Sequence, residues 1–455
     1  MTKQRMTFTE FLDESPMTPF LWLMLLGVAM AQLLDGMDFQ STSFALPGII
    51  KELKIAPSQA GLIPSATNFG LLAGALIFSP LSDRFGRKTI FQTVIALYTV
   101  GSLLSAIAPN FTFLVVARVI AGLGIGSEFP VAFALLAEYA PARHRHQFIP
   151  MGPFCYGLGF LLAAGLSIWL IPTFGWRVIY WIGVAPALVI LYIRQFLPES
   201  VRYLLTRGRV DEAHGIVRRL ANEAGMSELE LVPPPSQSTE VEKVDRGMLM
   251  KVALPALIAL GLVYFCTFIQ SNGIGSWLPT IFVRQGFTLV RSFTFTFITL
   301  AGTTLGMIWG GFLQEVMNRK LALLVLSLGG AVFFILSGLS FEFKVSINLT
   351  VLGLFLTNLF ANGVIAVLYT LGTELFPTSV RSLGMGLVTA FGRIGAILGP
   401  FITGWFITFG TAISQIIYYF SIPLVISAIV ALALIRVDPR QKTLEHIHLA
   451  AAAAQ

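Results

Sequence analysis

Two carboxylates three residues apart, Asp35 and Asp38, stand inside an apolar run that extends from Phe20 to about Ile50. That run is long enough to cross a bilayer, which takes roughly 20 apolar residues in a helix. An ionised aspartate at the centre of a membrane helix costs about 2.5–3.5 kcal/mol, and residues three apart share one helix face. The pair therefore needs a cation, a proton or water as its partner. One possibility is a structural role, in an ion pair or a water-filled vestibule. The other is a site that binds or couples a charged species.

The composition indicates that the element holding this pair is one of many membrane helices. Of the 455 residues, 55% are hydrophobic and only 12% are charged. Soluble domains contain about 25% charged residues, so we expect a polytopic membrane protein surrounded by the lipid bilayer. Twelve apolar spans are predicted near residues 20–46, 58–79, 88–108, 111–138, 147–171, 176–196, 250–282, 289–313, 320–340, 346–372, 383–408 and 412–436.

Lysine and arginine predict how these spans are oriented. With the N-terminus inside, the cytoplasmic segments carry 22 of them and the outer segments carry 6. The positive-inside rule therefore places both termini in the cytoplasm, and we expect a multi-pass protein of the inner membrane with no signal peptide. The net charge of +7 follows from this topology. No nucleic-acid module is recognisable, and no nucleic-acid partner is expected.

Charged loops repeat along the chain. An acid followed four residues later by a basic pair occurs after spans 2 and 8, at an offset of 232 (position 83 to position 315). An acid followed seven residues later by arginine ends spans 4 and 10, at an offset of 236 (position 138 to position 374). We expect these charges to bridge cytoplasmic helix ends as an inner gate. The gate candidates are Asp83, Arg87, Glu138, Arg145, Glu315, Arg319, Glu374 and Arg381.

The duplication predicts two six-helix halves. The N-terminal half covers residues 20–197 and the C-terminal half residues 250–436, with cytoplasmic ends at 1–19 and 437–455. A cytoplasmic linker at 198–249 contains short helical stretches, of which Val210 to Ala224 is the best.

The loop motifs resemble those of the major facilitator superfamily. Asp83-Arg84-Phe85-Gly86-Arg87-Lys88 is similar to its inter-helix signature, and Pro198-Glu199-Ser200-Val201-Arg202 resembles the motif after span 6 of its sugar and organic-ion porters. This resemblance implies an all-α membrane fold of two pseudo-symmetric six-helix bundles. It also implies a secondary transporter, not an enzyme, which works by alternating access without a cofactor and is expected to act as a monomer.

Motifs within the spans are similar to one branch of that superfamily. Asp35-Gly36-Met37-Asp38 resembles the paired aspartates of bacterial aromatic acid–proton symporters, and the glycine-rich segment from Arg118 to Gly126 resembles their span-4 motif. Ser127-Glu128-Phe129-Pro130 departs from that pattern and is more similar to nicotinate transporters and organic-ion porters. Both groups handle small organic acids, so the resemblance implies a small organic anion as the substrate and the proton as the coupling ion.

Helix rise predicts which intramembrane charges meet. Asp35 and Asp38 lie roughly 22–27 Å along span 1, and Arg118 lies about 10 Å below the outer end of span 4, which is a matching depth. Pairing with Arg118 favours ionised aspartates, whereas loss of the partner or of water favours protonated ones. Glu128, about 15 Å further along span 4, is a second protonation candidate or a helix–helix hydrogen-bond partner. We predict these four residues to couple protons.

Arg393 is predicted to anchor the substrate. It lies roughly 15 Å into span 11, close to the bilayer midplane, in the half without another mid-span charge. Its planar fork suits a carboxylate, although an arginine tied to backbone carbonyls or to Glu374 is the alternative. The other candidate substrate-binding residues, each of which could equally serve packing, are Tyr156, Gln270, Trp277, Asn358, Asn362 and Tyr369.

Three functions are compatible with these residues. The leading hypothesis is proton-coupled import of a small aromatic carboxylate, such as nicotinate or a hydroxybenzoate. The second is a proton antiporter that exports drugs or organic ions, although only Gly152-Pro153 of the antiporter signature in span 5 is present. The third is a membrane receptor that senses a solute without moving it.

Overall fold

The computed structural model describes residues 5–144, 151–233, 254–376 and 381–434. Eleven helices in these ranges are long and apolar enough to cross a membrane. The predicted sixth span is present as a pair of shorter helices, because the chain leaves helical geometry between Ile182 and Pro186. The all-α membrane fold with twelve spans is thereby confirmed.

The N-terminal part of the chain contains two short strands and ten helices among the described residues. They are β1 (Arg5–Thr7), α1 (Phe8–Glu14), α2 (Pro19–Leu53), α3 (Pro57–Phe85), α4 (Arg87–Ala106), α5 (Phe111–Tyr139), α6 (Met151–Phe174), α7 (Arg177–Ile182), α8 (Pro186–Phe196), α9 (Val201–Thr206), α10 (Val210–Glu223) and β2 (Glu230–Val232).

The described C-terminal part contains seven helices. They are α11 (Leu254–Gly275), α12 (Leu278–Arg284), α13 (Leu289–Val316), α14 (Arg319–Glu342), α15 (Ile347–Leu375), α16 (Arg381–Thr408) and α17 (Ile413–Leu434). Side-chain caps define several starts, because the first turn of a helix has backbone N–H groups without partners. Asn110 accepts a hydrogen bond from the backbone of Phe113 in α5, and Asn318 accepts one from Leu321 in α14.

Glycines permit the same close helix contact in both halves. Gly70 and Gly74 of α3 face the backbone of α5, and a side chain at Gly74 would collide with the carbonyl of Leu123. The equivalent glycines 232 positions later, Gly302 and Gly306 of α13, face the backbone of α15. Small residues four apart let membrane helices pack closely. The internal repeat in the loops therefore extends into the helix contacts.

The chain divides into two compact units. The first contains Met1–Phe39, Gly70–Ala163 and Arg177–Glu240, and the second contains Gln40–Phe69, Ala164–Trp176 and Val241–Gln455. The predicted boundaries at 198 and 250 stay predictions.

Within the second unit, the start of α3 packs on α16, which joins helices from the two sequence halves. The backbone N–H of Ser58 donates to Thr408 Oγ1 at 2.8 Å. The Ser65 hydroxyl donates to the carbonyl of Ile397 at 2.6 Å.

Within the first unit, the N-terminal segment folds onto the linker. Strand β1 pairs in parallel with β2, and Arg5 forms an exposed ion pair with Glu230 at 2.9 Å. Helix α1 buries Phe8 and Phe11, and α10 buries Val217 in the same hydrophobic core. Helix α10 forms where the sequence predicts the best helix of the linker. Two segments far apart in sequence thus form one small subdomain.

Candidate functional site

A buried ion pair forms the first polar layer of the N-terminal helices. Arg118 Nη2 of α5 donates to Asp38 Oδ2 of α2 at 2.8 Å, and both side chains are fully buried. The hydroxyl of Ser102 on α4 donates to the other oxygen, Oδ1, at 2.5 Å. We call Asp38, Ser102 and Arg118 the Arg118 layer. Its carboxylate is fully ion-paired and hydrogen-bonded, as a buried charge requires.

The broken sixth span completes the surroundings of this layer. The Arg118 guanidinium lies over the ring of Tyr180 on α7, with Cζ 5.1 Å from the ring centroid. Beyond α7, a Cβ at Gly183 would lie 2.7 Å from Asp38 Oδ1. The break between α7 and α8 thus brings backbone close to the aspartate, and only glycine fits at that contact.

The second polar layer lies about one helical turn before the first on both α2 and α4. The carboxyl of Asp35 lies within electrostatic range of the Glu128 carboxyl on α5 and of the Tyr98 hydroxyl on α4, without a hydrogen bond to that hydroxyl. Gln32 Nε2 donates to Glu128 Oε1 at 3.3 Å. We call these four residues the Glu128 layer. Asp35 and Glu128 are 1% and 0% exposed, so this layer brings two carboxyl groups together away from water.

The Glu128 layer has unused hydrogen-bonding capacity. Within the described part of the chain, Asp35 Oδ1, Glu128 Oε2, Tyr98 OH and Gln32 Oε1 have no hydrogen-bond partner. No lysine or arginine in that part forms an ion pair with Asp35 or Glu128. No group of three or more histidine, cysteine, aspartate or glutamate side chains there could hold a metal ion. The layer is therefore rich in buried oxygen atoms and carries no cation of its own.

The four residues predicted to couple protons all lie in these two layers. The structure brings Arg118 to Asp38, and it brings Asp35 to Glu128. Sequence reasoning missed Tyr98, Ser102 and Gln32. Their signal was available, because Tyr98 and Ser102 are four apart on α4 and Gln32 precedes Asp35 by three, so each pair shares a helix face.

Arg393 of α16 lies among aromatic rings. Its Cζ is 5.9 Å from the centroid of the Phe268 ring on α11. The phenols of Tyr264 and Tyr369 also interact electrostatically with this guanidinium. No carboxylate in the described ranges forms an ion pair with Arg393, and Glu374 pairs with Arg319 instead. Arg393 is half-buried, so a guanidinium without a carboxylate partner faces partly accessible space.

Tyr369 and Tyr264 form a connected aromatic cluster around Arg393. The Tyr264 ring contacts Phe268 at 5.8 Å and the Tyr369 ring at 6.1 Å between centroids. Tyr369 is 43% exposed, whereas Tyr264 is buried and its hydroxyl has no hydrogen-bond partner in the described part. Sequence reasoning missed Tyr264, although it stands four residues before Phe268 on the same helix face.

The other predicted substrate residues make contacts within the protein. Trp277 is fully buried and donates from Nε1 to the carbonyl of Pro400 at 2.9 Å. Asn358 donates to the carbonyl of Thr299, and Asn362 donates to that of Asn358, both at 3.0 Å. These hydrogen bonds give the donor group of each of the three side chains a partner within the protein. Their role in substrate binding stays a prediction.

Gln270 and Tyr156 complete that predicted set. Gln270 is 2% exposed, and its Oε1 has no hydrogen-bond partner in the described ranges. The Tyr156 ring contacts Phe39 and Phe160 with centroids 6.2 and 5.0 Å away. Tyr156 therefore belongs to an aromatic cluster with Phe39, the residue that follows Asp38.

The gate candidates form one ion pair in each half. Arg87 Nη1 lies 2.6 Å from Glu138 Oε2, and Arg319 Nη2 lies 3.0 Å from Glu374 Oε1. Glu138 also accepts from the Ser200 hydroxyl at 2.6 Å and from the backbone N–H of Arg202 at 2.7 Å. The motif after span 6 therefore binds the start of the linker to α5 through Glu138.

The other gate candidates are Asp83, Arg145, Glu315 and Arg381. Asp83 and Glu315 are exposed. Arg145 and the side chain of Arg381 lie outside the described residues.

Known proteins resemble this chain over almost its whole length. A model of the family described as sugar (and other) transporter matches residues 30–450. The niacin transporter NiaP of Acinetobacter baylyi is 33% identical over 96% of this chain and 99% of its own length. The benzoate transport protein of the same organism is 30% identical over 88% of this chain and 86% of its own. The inward-open xylose transporter XylE from E. coli, at 19% identity, superimposes with a TM-score of 0.74 over 94% and 98% of the two chains.

Proposed function

Because this chain belongs to the sugar (and other) transporter family, we propose that it imports a small aromatic carboxylate together with protons. The observation that carries the proposal is Arg393, a half-buried guanidinium among aromatic rings without a carboxylate partner in the described residues. A guanidinium recognises a carboxylate with two parallel hydrogen bonds, and aromatic rings stack on a planar substrate.

The names of two relatives support the same chemical class. One relative is a niacin transporter and another is a benzoate transport protein. Niacin and benzoate share a planar six-membered ring that carries one carboxylate. Phe268 and Tyr369 offer apolar ring surface beside Arg393. We therefore place the substrate carboxylate at Arg393 and its ring against these side chains.

The two polar layers of the N-terminal helices support coupling to protons. Asp35, Asp38 and Glu128 are buried acids, and Arg118 is the cation that neutralises one of them. Buried acids in membrane helices commonly mark proton relays. Alternating access would change the hydration of these layers, and their proton occupancy would change with it. In this proposal the protein is a multi-pass protein of the inner membrane with cytoplasmic termini, as its lysines and arginines indicate.

Uptake by reconstituted protein tests the proposal. Purified protein in proteoliposomes should accumulate nicotinate or benzoate when the outside is more acidic than the lumen, and a proton ionophore should abolish the accumulation. Nicotinamide and benzamide are matched controls, since each keeps the ring and loses the charge. Equal uptake of acids and amides would remove Arg393 from its proposed role.

The same measurement separates the alternative functions. Substrate release driven by an inward proton gradient would indicate an antiporter. Specific binding without uptake, exchange or counterflow under any gradient would indicate a receptor.

A further inference from the structure

We propose that Tyr180 holds Arg118 when Asp38 takes up the coupling proton, so that the broken sixth span responds to the protonation state of the Asp38–Arg118 pair. This role rests on the proposed function, because it needs a proton that enters and leaves the Arg118 layer. Tyr180 acts through Arg118 and is therefore a positioning residue, which the sequence did not single out.

One turn of the broken sixth span lies against both members of the ion pair. On the side of the cation, the Tyr180 ring has its centroid 5.1 Å from Arg118 Cζ. On the side of the anion, a Cβ at Gly183 would lie 2.7 Å from Asp38 Oδ1 and 3.1 Å from Ser102 Cβ. Tyr180 belongs to α7, and Gly183 is the first residue after the end of that helix. The break in the span thus places an aromatic ring at the arginine and bare backbone at the aspartate.

The ring is the weaker partner of Arg118 while Asp38 is ionised. The carboxylate lies 2.8 Å from the guanidinium and carries a full opposite charge. Arg118 and Tyr180 are both 0% exposed, and the attraction between a cation and an aromatic face is strongest where water is excluded. The contact with Tyr180 therefore supports the ion pair but does not replace it in this state.

A proton on Asp38 reverses that order. The neutral carboxyl group no longer balances the guanidinium, and a buried cation that loses its counter-charge is strongly unfavourable. The face of the Tyr180 ring carries the negative part of the ring quadrupole and already lies against the same guanidinium. The cation is then bound to α7 more than to α2. Protonation thereby weakens the contact between spans 1 and 4 and strengthens the contact between spans 4 and 6.

The charged and titratable groups around Asp38 come from five helices. They are Asp35 of α2, Tyr98 of α4, Arg118 and Glu128 of α5, Tyr156 of α6 and Tyr180 of α7. Arg118 is the only cation in this set. The loss of the negative charge on Asp38 therefore acts on Arg118 first, and the ring of Tyr180 is the aromatic face that this guanidinium already contacts.

A cycle of variants in the purified full-length protein tests this role without any substrate. Asp38→Asn imitates the protonated side chain, because it keeps the shape of the carboxyl group without its charge. Tyr180→Leu removes the ring, and it should lower the melting temperature by roughly 2 °C more in the Asp38→Asn background than in the wild type. Equal losses in the two backgrounds would leave Tyr180 with a packing role only and would overturn the proposal.

Two matched variants show whether the ring face is the cause. Tyr180→Phe keeps the ring and removes the hydroxyl, so its effect on the melting temperature should be the same in both backgrounds. Phe91→Leu removes another fully buried ring from the hydrophobic core of the same unit, and its effect should also be the same in both. An excess loss for either variant in the Asp38→Asn background would contradict the role of the Tyr180 ring.

Transport supplies a second measurement, which does not depend on the folding of Asp38→Asn. In proteoliposomes, Tyr180→Leu should lower the accumulation of nicotinate driven by a pH gradient about tenfold relative to counterflow of nicotinate, because counterflow needs no net movement of protons. Tyr180→Phe should restore the wild-type ratio. An unchanged ratio in Tyr180→Leu would overturn the proposal. If the wild type moves no nicotinate but the melting temperatures show the excess loss, the proposed function fails and the response of Tyr180 to the charge of Asp38 stands.

Discussion

Arg118 and Arg393 are both arginines inside membrane helices, but their surroundings differ. Arg118 is fully buried, pairs with Asp38 at 2.8 Å and lies over Tyr180. Arg393 is half-buried, lies over Phe268 and forms no ion pair within the described ranges. A paired and inaccessible guanidinium contributes to folding, whereas an accessible one without a counter-charge is available to a ligand. The comparison therefore predicts that replacing Arg118 lowers the stability of the protein, whereas replacing Arg393 weakens substrate binding.

The largest expected effect is loss of stability in Arg118→Gln. The substitution leaves Asp38 buried without its cation, which costs about 3–5 kcal/mol of folding free energy. Thermal unfolding of the purified protein in detergent should show a large fall in melting temperature. Adding Asp38→Asn removes the orphaned charge, so the double variant should recover much of the loss. A stable single variant, or a double variant no better than the single one, would show that the ion pair is not what holds these helices together.

The second effect concerns binding instead of stability. Arg393→Gln should weaken nicotinate binding about 10- to 100-fold, the size expected when charge-assisted hydrogen bonds are lost. Its melting temperature should stay close to that of the wild type, because no protein carboxylate is orphaned. Arg393→Lys keeps the charge without the planar fork and should give an intermediate affinity. Unchanged affinity of Arg393→Gln in an equilibrium binding assay would place the substrate carboxylate elsewhere.

A smaller difference is expected between the repeated gate pairs. Glu138 accepts hydrogen bonds from Arg87, Ser200 and the backbone of Arg202. Glu374 accepts hydrogen bonds only from Arg319 among the described residues. Glu138→Gln should therefore destabilise the protein more than Glu374→Gln, by on the order of 1 kcal/mol. Equal unfolding free energies for the two variants would mean that the linker contacts of Glu138 contribute little.

The sequence predicted those features that depend on composition and on position along a helix. Hydropathy and the repeated loops predicted the twelve-span fold, and the resemblance to the major facilitator superfamily is confirmed by the family match. Depth along the helices was sufficient to place Arg118 level with the aspartates of α2, one of which, Asp38, is its partner. The same offset of 232 relates the glycine contacts Gly70–Gly74 and Gly302–Gly306.

Features that depend on which helix faces which were not predictable. Asp35 and Asp38 share a helix face, yet one meets Glu128 and the other meets Arg118, because adjacent turns of α2 contact different levels of α5. A single sequence gives depth but no rotation about the helix axis. Spacing places Tyr98 on the helix face of Ser102 and Tyr264 on that of Phe268, but it does not show that these faces turn toward Asp35 and Arg393. The β1–β2 pairing joins segments about 225 residues apart (position 5 to position 230), and three-residue strands carry no periodicity to detect.

The smallest expected effect concerns an acid outside the membrane, whose charge is balanced by the backbone instead of a cation. The backbone N–H of Thr7 donates to Glu10 Oε2 at 2.8 Å, and the N–H of Glu10 donates to Thr7 Oγ1 at 3.3 Å. The hydrogen bond from the Thr7 backbone, and after it the Thr7 side chain, hold the pKa of the Glu10 carboxyl below its usual value. A lowered pKa in the folded state means that the ionised carboxylate stabilises helix α1 above the ordinary glutamate pKa of about 4.3. That contribution is lost as the pH falls through the lower pKa of the folded state.

A spin label on the exposed position 9 measures this effect directly. In a Thr9→Cys variant with Cys155 and Cys266 replaced by alanine, label mobility should rise slightly once the pH falls below about 4. In the same background, Glu10→Gln keeps an acceptor oxygen and cannot titrate, so its label mobility should not respond to pH in this range. If both proteins respond alike, the N-terminal segment is held by the burial of Phe8 and Phe11 and not by the capping hydrogen bonds. Because Glu10 is exposed, the change should remain far below that caused by Arg118→Gln, where the orphaned charge has no water to stabilise it.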